Sequence, residues 1–276
     1  MGSCLSGAPS DHWLMFWYGQ GRNGKNTMGE LVMEILADYA RKVPAQTLMH
    51  DARGERHPTE IANLVGLRLA FSSEVSDRDC WHESRIKELT GDAMLSARFM
   101  RGDFFEFPRT HKHIVYGNYR PMLRVVDSAI VERLHLVPFS ATFTADLGNR
   151  DPDMPAKLWS EAGAVLSWLL EGHAKWREDG TLRPCAAVAE ATRDYFDAQG
   201  GLDAWVSDRC DVVARDERPT MLLDPAQKLY RDYSEWKESR GELPMSKTRW
   251  GEQMQRRFPK VSANGVRYRG LKLCAA

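Results

Sequence analysis

Short apolar runs recur along the first half of the chain and predict buried strands. They cover residues 12–18, 67–73, 113–118 and 134–139, and each is far shorter than the roughly 20 residues of a membrane span. Stretches with helical spacing separate these runs. Strands that alternate with helices in this way are typical of a parallel sheet covered on both faces. The pattern therefore predicts an α/β core.

The polar and apolar positions between the runs predict helices and one hairpin. A helix from Lys25 is expected to have an apolar face formed by Met28, Leu31, Val32, Ile35, Leu36 and Tyr39. Residues 186–198 also have helical spacing, as do residues 155–178, whose expected inward face consists of Leu158, Ala162, Val165, Leu166, Leu169 and Leu170. Alternating residues around Gly102, within 97–112, predict a β-hairpin.

Gly200 and Gly201 mark the expected boundary between two domains, 1–200 and 201–276. In the second domain, a helix is expected over 225–240, with one apolar stripe formed by Ala226, Leu229, Tyr233 and Trp236. A second helix is expected from the N-cap Ser246 to about Phe258, followed by two strands around Asn264-Gly265. Two helices and a hairpin resemble a winged-helix module.

Composition narrows the function classes. The 276 residues include 38 Lys and Arg and 38 Asp and Glu, so a uniformly basic nucleic-acid coat is excluded and any such surface must be local. The five cysteines show neither C-x-x-C pairs nor zinc spacing, which favours a reducing cytoplasm. We expect no membrane partner.

The last fifty residues carry a local positive charge. From Gln227 to the end there are twelve Lys or Arg and five Asp or Glu. A basic face of this kind is typical of proteins that contact DNA phosphates. A charged face exposed only to solvent, or a surface that binds another protein, would have the same composition. The candidate DNA contacts are Lys247, Arg249, Arg256, Arg257, Lys260, Arg267, Arg269 and Lys272.

A glycine-rich stretch between the first predicted strand and helix carries the clearest chemistry. It reads G-Q-G-R-N-G-K-N-T and satisfies G-x-x-x-x-G-K. Backbone N–H groups in such a loop cradle phosphate oxygens, and the lysine adds a charge beside them. The predicted nucleotide-binding residues are Gly19, Gln20, Gly21, Arg22, Asn23, Gly24, Lys25, Asn26 and Thr27.

Three further residues extend this prediction. Asn26 replaces the usual hydroxyl after the lysine, and its amide oxygen is a suitable Mg²⁺ ligand. Glu74 follows the second apolar run and is expected to orient the attacking water, directly or through Mg²⁺. Asn118 closes the third run and could contact the γ-phosphate, although a helix cap or a turn is the alternative. His111 and His113 share one strand face and, without a nearby third ligand, are interpreted as ordinary strand residues.

Several motifs together resemble the superfamily 3 helicases, and most of all the motor of phage and plasmid primase-helicases, which are related to the poxvirus primase-helicase. After the glycine loop these motifs are F-S-S-E, K-E-L-T-G-D, A-R-F-M-R-G-D-F-F-E-F, Y-G-N-Y-R-P and A-I-V-E-R-L-H-L-V-P-F. The C-terminal L-Y-R-D-Y-S-E-W and Y-R-G-L-K-L resemble the module that often follows this motor. The resemblance covers nearly the whole chain.

The resemblance implies a RecA/AAA+-like P-loop ATPase core that binds ATP and Mg²⁺. Lys25 would belong to Walker A, Glu74 would be the Walker B acid and Asn118 would be sensor 1. Arg133 would be a finger that reaches the ATP site of a neighbouring subunit, although many relatives have two arginines where this chain has Glu132-Arg133. The resemblance thus implies a homo-oligomer, a hexameric ring, as part of the mechanism.

A ring motor of this family holds single-stranded DNA in its channel and acts on forked DNA, with other replication proteins as further partners. The resemblance implies DNA contacts from the segment that begins at Lys87 and includes the hairpin. The candidates on the hairpin are Arg98, Arg101, Phe104, Phe105 and Arg109.

The main hypothesis is therefore an ATP-dependent DNA helicase motor, with 3′→5′ polarity by resemblance. The alternative is a DNA-binding initiator or loader that uses ATP as a switch and unwinds little. A small-molecule kinase would explain neither Arg133 nor the basic C-terminal residues. We expect the chain to be a fragment that lacks the primase centre and the helical collar.

Overall fold

The computed structural model describes residues 1–7, 10–50, 59–75, 79–123, 126–199, 201–212, 223–262 and 265–274. The chain forms two compact units. The first consists of residues 1–124 and 129–193, and the second consists of residues 125–128 and 194–276.

A five-stranded parallel sheet is the centre of the first unit. Its strands, numbered along the chain, are β1 (Leu14–Tyr18), β2 (Ala40–Lys42), β3 (Leu69–Val75), β6 (Lys112–Gly117) and β7 (Leu134–Pro138). They lie in the order β2-β3-β6-β1-β7, and every pair is parallel. The four strands expected from the apolar runs are confirmed. A separate antiparallel hairpin consists of β4 (Met94–Arg98) and β5 (Phe104–Pro108).

Helices surround this sheet. They are α1 (Lys25–Leu36), α2 (Thr59–Ala62), α3 (Glu83–Gly91), α4 (Ser128–Arg133), α5 (Met154–Ser160), α6 (Ala162–Asp179) and α7 (Ala186–Gln199). Buried residues of α1, among them Val32 and Leu36, pack against Trp17, Phe71 and Ile114 of the strands.

The central strands are apolar because both of their faces are covered. On β1, Phe16 meets the ring of Trp81 at 5.7 Å, and its neighbour Trp17 meets Phe71 at 5.5 Å. The edge strand β2 reads Ala-Arg-Lys and is largely exposed. It was not predicted because three residues with two charges give no apolar signal.

The parallel alignment brings the carboxyl ends of the central strands to one edge. Tyr18 at the end of β1 lies level with Gly117 at the end of β6. On the other side of β6, the pairing with β3 is irregular between Ser72 and Val75. The glycine loop, residues 73–75 and Asn118 therefore lie at the same edge of the sheet.

Two expectations about the helices are wrong. Helix α1 ends at Leu36, and Tyr39 lies beyond it and is 49% exposed. The predicted helix over 155–178 is interrupted at Glu161.

The expected inward face of that helix is only partly buried, since Leu158, Ala162 and Val165 are half-buried. Leu169 is buried, but Leu166 and Leu170 are 39% and 52% exposed. In the part of the chain that the structure describes, α6 packs mainly against residues 2–5, and that contact covers the side that carries Leu169. Helical spacing predicted an apolar stripe correctly but could not show how much of it has a partner.

The described part of the second unit combines helices with two small antiparallel sheets. Its elements are α8 (Leu202–Arg209), β8 (Cys210–Val212), α9 (Ala226–Ser239), α10 (Lys247–Arg257), β9 (Lys260–Ser262), β10 (Val266–Tyr268) and β11 (Leu271–Leu273). Strand β9 pairs with β10, and β8 pairs with β11.

Aromatic rings form the core of the second unit. Trp205 and Tyr233 lie 5.7 Å apart, as do Trp250 and Tyr268. The predicted pair of helices and the hairpin after them are confirmed, although Asn264 of that hairpin lies outside the described residues. The pairing of β8 with β11 was not expected, and the winged-helix assignment stays a prediction.

Candidate phosphate-binding site

The loop between β1 and α1 adopts a conformation that requires glycine at two positions. Gly19 has φ +151° and Gly24 has φ +85°, values that residues with a side chain rarely adopt. A Cβ atom on Gly19 would also lie 2.3 Å from the carbonyl oxygen of Phe139. The loop is held further by a 2.7 Å bond from the Phe143 N–H to the Arg22 carbonyl. These contacts hold the loop against the segment from Phe139 to Phe143.

Lys25, the first residue of α1, places its ammonium group among oxygen atoms at this edge. The side chain is buried, and Nζ donates to the Gly19 carbonyl at 2.7 Å, to Asn23 Oδ1 at 3.1 Å and to Asn118 Oδ1 at 3.5 Å. Burial lowers the pKa of Lys25, because the charged form loses hydration. Two residues that the sequence assigned to one site, 93 positions apart, are therefore in contact.

The loop opens into a cavity of about 530 Å³, a size typical of small-molecule sites. Its lining includes most of the predicted nucleotide-binding residues, from Gly21 to Thr27, together with Asn118. Gly19 and Gln20 are not part of the lining. Residues that were not predicted also contribute, namely Lys42, Ser73, Tyr116 and Gly117. Strand-end positions of this kind have no motif of their own, so only the sheet order could have indicated them.

Oxygen donors for a hard cation are present in the cavity. Asn26, Thr27 and Ser73 all line it, and amide and hydroxyl oxygens are ligands that Mg²⁺ accepts. The donor set therefore fits the expected metal. Glu74 occupies the position after Ser73 in β3, but its side chain lies outside the described residues, so its role stays a prediction.

A second cavity, of about 560 Å³, also adjoins the loop. It shares Arg22, Gly24 and Thr27 with the first cavity. The remaining walls are mostly apolar, with Met28, Phe143, Pro152, Met154, Pro155 and Leu158 among them. Sequence reasoning missed this cavity because residues 143–155 form no periodic element.

Arg133 lies at the opposite end of the sheet from the loop. It is the last residue of α4 and directly precedes β7, whose first residue, Leu134, pairs with Leu14 at the start of β1. Its Nη1 donates to the Ala129 carbonyl at 2.8 Å. Within one chain, Arg133 is therefore separated from the loop by the length of β1, and the structure does not bring it together with Lys25.

The hairpin presents some of its candidate residues to solvent and buries others. Arg101, at the tip, is exposed with φ +61°, and Phe104 is 62% exposed with the Arg98 guanidinium 5.1 Å above its ring. Arg109 is 2% exposed, and its Nε donates to the Asp92 carbonyl at 2.9 Å. The expectation that Arg109 faces DNA is therefore wrong. Lys87 lies half-buried on α3.

The candidate basic residues of the second unit differ in their exposure and in their contacts. Lys247, Lys260 and Arg269 are exposed. Arg249 forms ion pairs with Asp194 and Asp197, and Arg267 donates to the Leu223 carbonyl. The side chains of Arg256 and Arg257 are outside the described residues, and Lys272 is half-buried.

Two absences hold for the described ranges. No cluster of three or more His, Cys, Asp or Glu side chains in them could hold a metal ion. None of the helices there has the length and apolar character needed to cross a membrane.

Comparison with known proteins adds evidence from relatives. Residues 17–133 match a family described as a family of unknown function (DUF5906). The chain is 28% identical over 246 residues to "Putative helicase 022R" of Frog virus 3, which covers 83% of this chain and 25% of that protein. It is 27% identical over 150 residues to "Primase D5" of fowlpox virus, which covers 52% of this chain and 18% of that protein. The chain is therefore similar to viral proteins named as a putative helicase and as a primase.

The chain spans about a fifth to a quarter of the length of those relatives. The segment that matches the family begins at Trp17, directly before the glycine loop, and ends at Arg133. It therefore contains Lys25, Glu74 and Asn118. Among solved structures, the apo C-terminal region of NrS-1 (305–718) resembles the chain with 14% identity and a TM-score of 0.47, covering 93% of this chain and 66% of that one.

Proposed function

We propose that the chain is an ATP-hydrolysing DNA helicase motor of a viral or plasmid replication protein. The observation that carries the proposal is the position of Lys25, whose ammonium group lies between the glycine loop and Asn118 at the mouth of the 530 Å³ cavity. Homology to viral helicases and primases supports the link to DNA replication.

Residues of this chain would bind the nucleotide and orient its phosphates. Loop N–H groups and the N-terminus of α1 would hold the phosphates, and Lys25 would exchange its present oxygen partners for phosphate oxygens. Asn118 would then contact the terminal phosphate and report its presence. A bound Mg²⁺ would supply positive charge beside the phosphates, held by oxygens of Asn26, Thr27 and Ser73. Glu74 is proposed to orient the attacking water.

The second cavity is proposed to take the nucleoside. It adjoins the loop through Arg22, Gly24 and Thr27, and its apolar walls suit a flat base. The phosphate chain would then run from this cavity, across the loop, into the first cavity. This arrangement gives a triphosphate one orientation in the site.

Arg133 is proposed to complete the site of a neighbouring copy in a ring. Its position at the far end of the sheet prevents it from acting on the nucleotide held by its own chain. A cation supplied by a second subunit stabilises charge that develops on the phosphates. The exposed hairpin residue Arg101, and Lys247 and Arg269 of the proposed winged-helix unit, would contact DNA.

Nucleotide binding tests the site directly. Titration of a fluorescent, non-hydrolysable ATP analogue should show saturable binding that Lys25→Ala weakens at least about tenfold, because a charge-assisted contact to phosphate is lost. Lys175→Ala is a matched control, since Lys175 is exposed on α6 and lines neither cavity. Equal affinities for all three proteins would contradict the assignment, provided that their melting temperatures agree.

The alternative is an ATP-switched initiator or loader that binds DNA but unwinds little. The exposed basic residues of the second unit favour it, because they would hold DNA without any motor action. A forked duplex separates the two functions. A motor displaces the strand when ATP is added, whereas a switch binds the same substrate with ATP-dependent affinity and leaves the duplex intact.

A further inference from the structure

Lys42 is a further cation in the 530 Å³ cavity, in addition to Arg22 and Lys25. It is the last residue of the edge strand β2, its side chain is exposed, and it lines the cavity together with Lys25 and Asn118. No motif pointed to this residue. Within the described ranges, no carboxylate forms an ion pair with it.

The sheet register explains why Lys42 faces the loop. Lys42 pairs with Phe71 of β3, and residues paired across strands project from the same face. Phe71 packs in the same cluster as Val32 and Leu36 of α1, and its ring lies against Gly29. Lys42 therefore projects on the face covered by α1, the helix that begins with Lys25. Its neighbour Arg41 projects on the opposite face, because side chains alternate along a strand.

The strand order decides which phosphate Lys42 could reach. The loop follows β1, and from there the sheet continues through β6 and β3 to β2, a distance of about 14 Å at 4.7–4.9 Å per strand. The cavity extends over the same strands, since Tyr116, Ser73 and Lys42 line it in turn. A phosphate chain held at the loop, with its nucleoside in the second cavity, points its terminal phosphate toward β2.

Lys25 and Lys42 differ in how firmly they are held. Lys25 is buried and donates to three protein oxygens, so its position is fixed near the loop. Lys42 is exposed at the far side of the cavity and has a long side chain free to reorient. A fixed cation suits the phosphates common to all nucleotides, whereas a mobile one suits a phosphate that is present in only one state.

We propose that Lys42 contacts the terminal phosphate of a bound nucleoside triphosphate and makes the site distinguish triphosphate from diphosphate. This inference rests on the proposed function, because it assumes that the cavity binds nucleotide. It gives strand β2 a role in distinguishing bound triphosphate from bound diphosphate.

The test compares two nucleotides on four proteins. A fluorescent non-hydrolysable ATP analogue and the matching ADP analogue are titrated into the native chain, Lys42→Ala, Lys42→Arg and the control Arg41→Ala. We expect Lys42→Ala to weaken triphosphate binding about tenfold and diphosphate binding less than twofold, since one charge-assisted contact is lost. Lys42→Arg should restore most of the difference, and Arg41→Ala should leave both affinities unchanged.

Equal weakening of both nucleotides by Lys42→Ala, or no weakening of either, overturns the inference. So does an effect of Arg41→Ala as large as that of Lys42→Ala, which would indicate a general loss of positive charge. Lys25→Ala separates this failure from that of the proposed function. If Lys25→Ala abolishes binding while Lys42→Ala changes nothing, only the role of Lys42 is wrong. If the native chain binds neither nucleotide, both proposals are wrong.

Discussion

Arg101, at the tip of the β4–β5 hairpin, has a backbone conformation that arginine rarely adopts. Its φ is +61°, and the N–H of the next residue, Gly102, bonds to the Phe99 carbonyl at 3.0 Å. A left-handed residue other than glycine costs about 1 kcal/mol. The chain thus places an exposed cation where glycine would be more stable, and the DNA contact proposed for Arg101 would account for it.

Arg101→Gly should therefore separate stability from DNA binding. We expect the free energy of unfolding to stay the same or to rise by up to about 1 kcal/mol, because glycine tolerates the turn. Affinity for single-stranded DNA should fall, and the slope of log K against log salt should become shallower by about one unit. Chemical denaturation and fluorescence anisotropy measure the two quantities. Arg101→Lys is the control that keeps the charge, and unchanged DNA affinity in Arg101→Gly would contradict the assignment.

Sequence reasoning predicted the residues of the loop but only part of the cavity around it. Gly19, Gly24 and Lys25 are recognisable because local backbone geometry fixes their spacing. Asn118 was predicted from its place at a strand end, and its contact with Lys25 follows from the parallel register. Lys42 could not be predicted, because its position depends on an edge strand with no apolar signal.

At the scale of elements, two histidines at the start of β6 are buried. His111 directly precedes the strand and His113 lies in it; each is 1% exposed, and their rings lie 4.7 Å apart. Neither ring nitrogen of His113 has a hydrogen-bond partner among the described residues. Burial, with a smaller effect from Arg109, lowers the pKa of His113 to about 3. Burial, followed by the nearby His113 and Arg109, lowers the pKa of His111 well below its usual range. The prediction of ordinary strand residues did not foresee this degree of burial.

The buried pair predicts a stability that falls with acid. In the unfolded chain both imidazoles bind protons below a pKa of about 6.5, whereas His113 stays neutral in the folded chain down to about 3. The unfolded state then binds more protons, so the free energy of unfolding decreases as pH falls below about 6.5, by about 1.4 kcal/mol per pH unit for each histidine.

Urea denaturation of the native chain and of His113→Gln between pH 7 and pH 5 measures this effect. We expect the variant to lose less stability over that interval, whatever its stability at pH 7. His12→Gln is the control, because His12 is exposed. Identical slopes for the native chain and His113→Gln would show that His113 does not cause the acid sensitivity.

Two basic residues of helix α10, Lys247 and Arg249, differ in their contacts. Lys247 is exposed at its first position, whereas Arg249 is paired with Asp194 and Asp197. We expect Lys247→Ala to weaken DNA binding with a smaller salt slope and little change in melting temperature. Arg249→Ala should mainly lower the melting temperature, because two carboxylates lose their partner. Anisotropy and thermal unfolding distinguish these outcomes, and the reverse pattern would place Arg249 in the DNA interface.

Element prediction succeeded where burial on two faces forces an apolar run, as in β1, β3, β6 and β7. It was only partly right for the apolar face predicted over 155–178. The spacing of Leu166 and Leu170 is helical, but these residues are exposed, since periodicity defines a face and not its partner. The break at Glu161 had no glycine or proline to mark it.

At the scale of the whole molecule, the position of Arg133 determines how many chains the proposed reaction needs. Arg133 and the glycine loop lie at opposite ends of the same sheet. Each nucleotide would therefore receive its arginine from another copy, and hydrolysis would depend on assembly.

Mixed assemblies test this dependence. Lys25→Ala chains keep Arg133, and Arg133→Ala chains keep the glycine loop, so each alone should hydrolyse ATP poorly. We expect mixtures to recover part of the activity, with a maximum near equal proportions. Because Arg133 also donates to the Ala129 carbonyl, its removal could disturb α4, and Arg133→Lys provides a milder variant. Activity that never exceeds the sum of the two separate variants would contradict a shared site.

The ATP hydrolysis rate with and without single-stranded DNA, for the native chain and for Lys25→Ala, tests the central claim most directly. We predict hydrolysis by the native chain that DNA stimulates several-fold, and the loss of both basal and stimulated rates in Lys25→Ala. A hydrolysis rate that single-stranded DNA does not change, or that is the same in Lys25→Ala as in the native chain, would contradict the proposal of a DNA-dependent motor at this site.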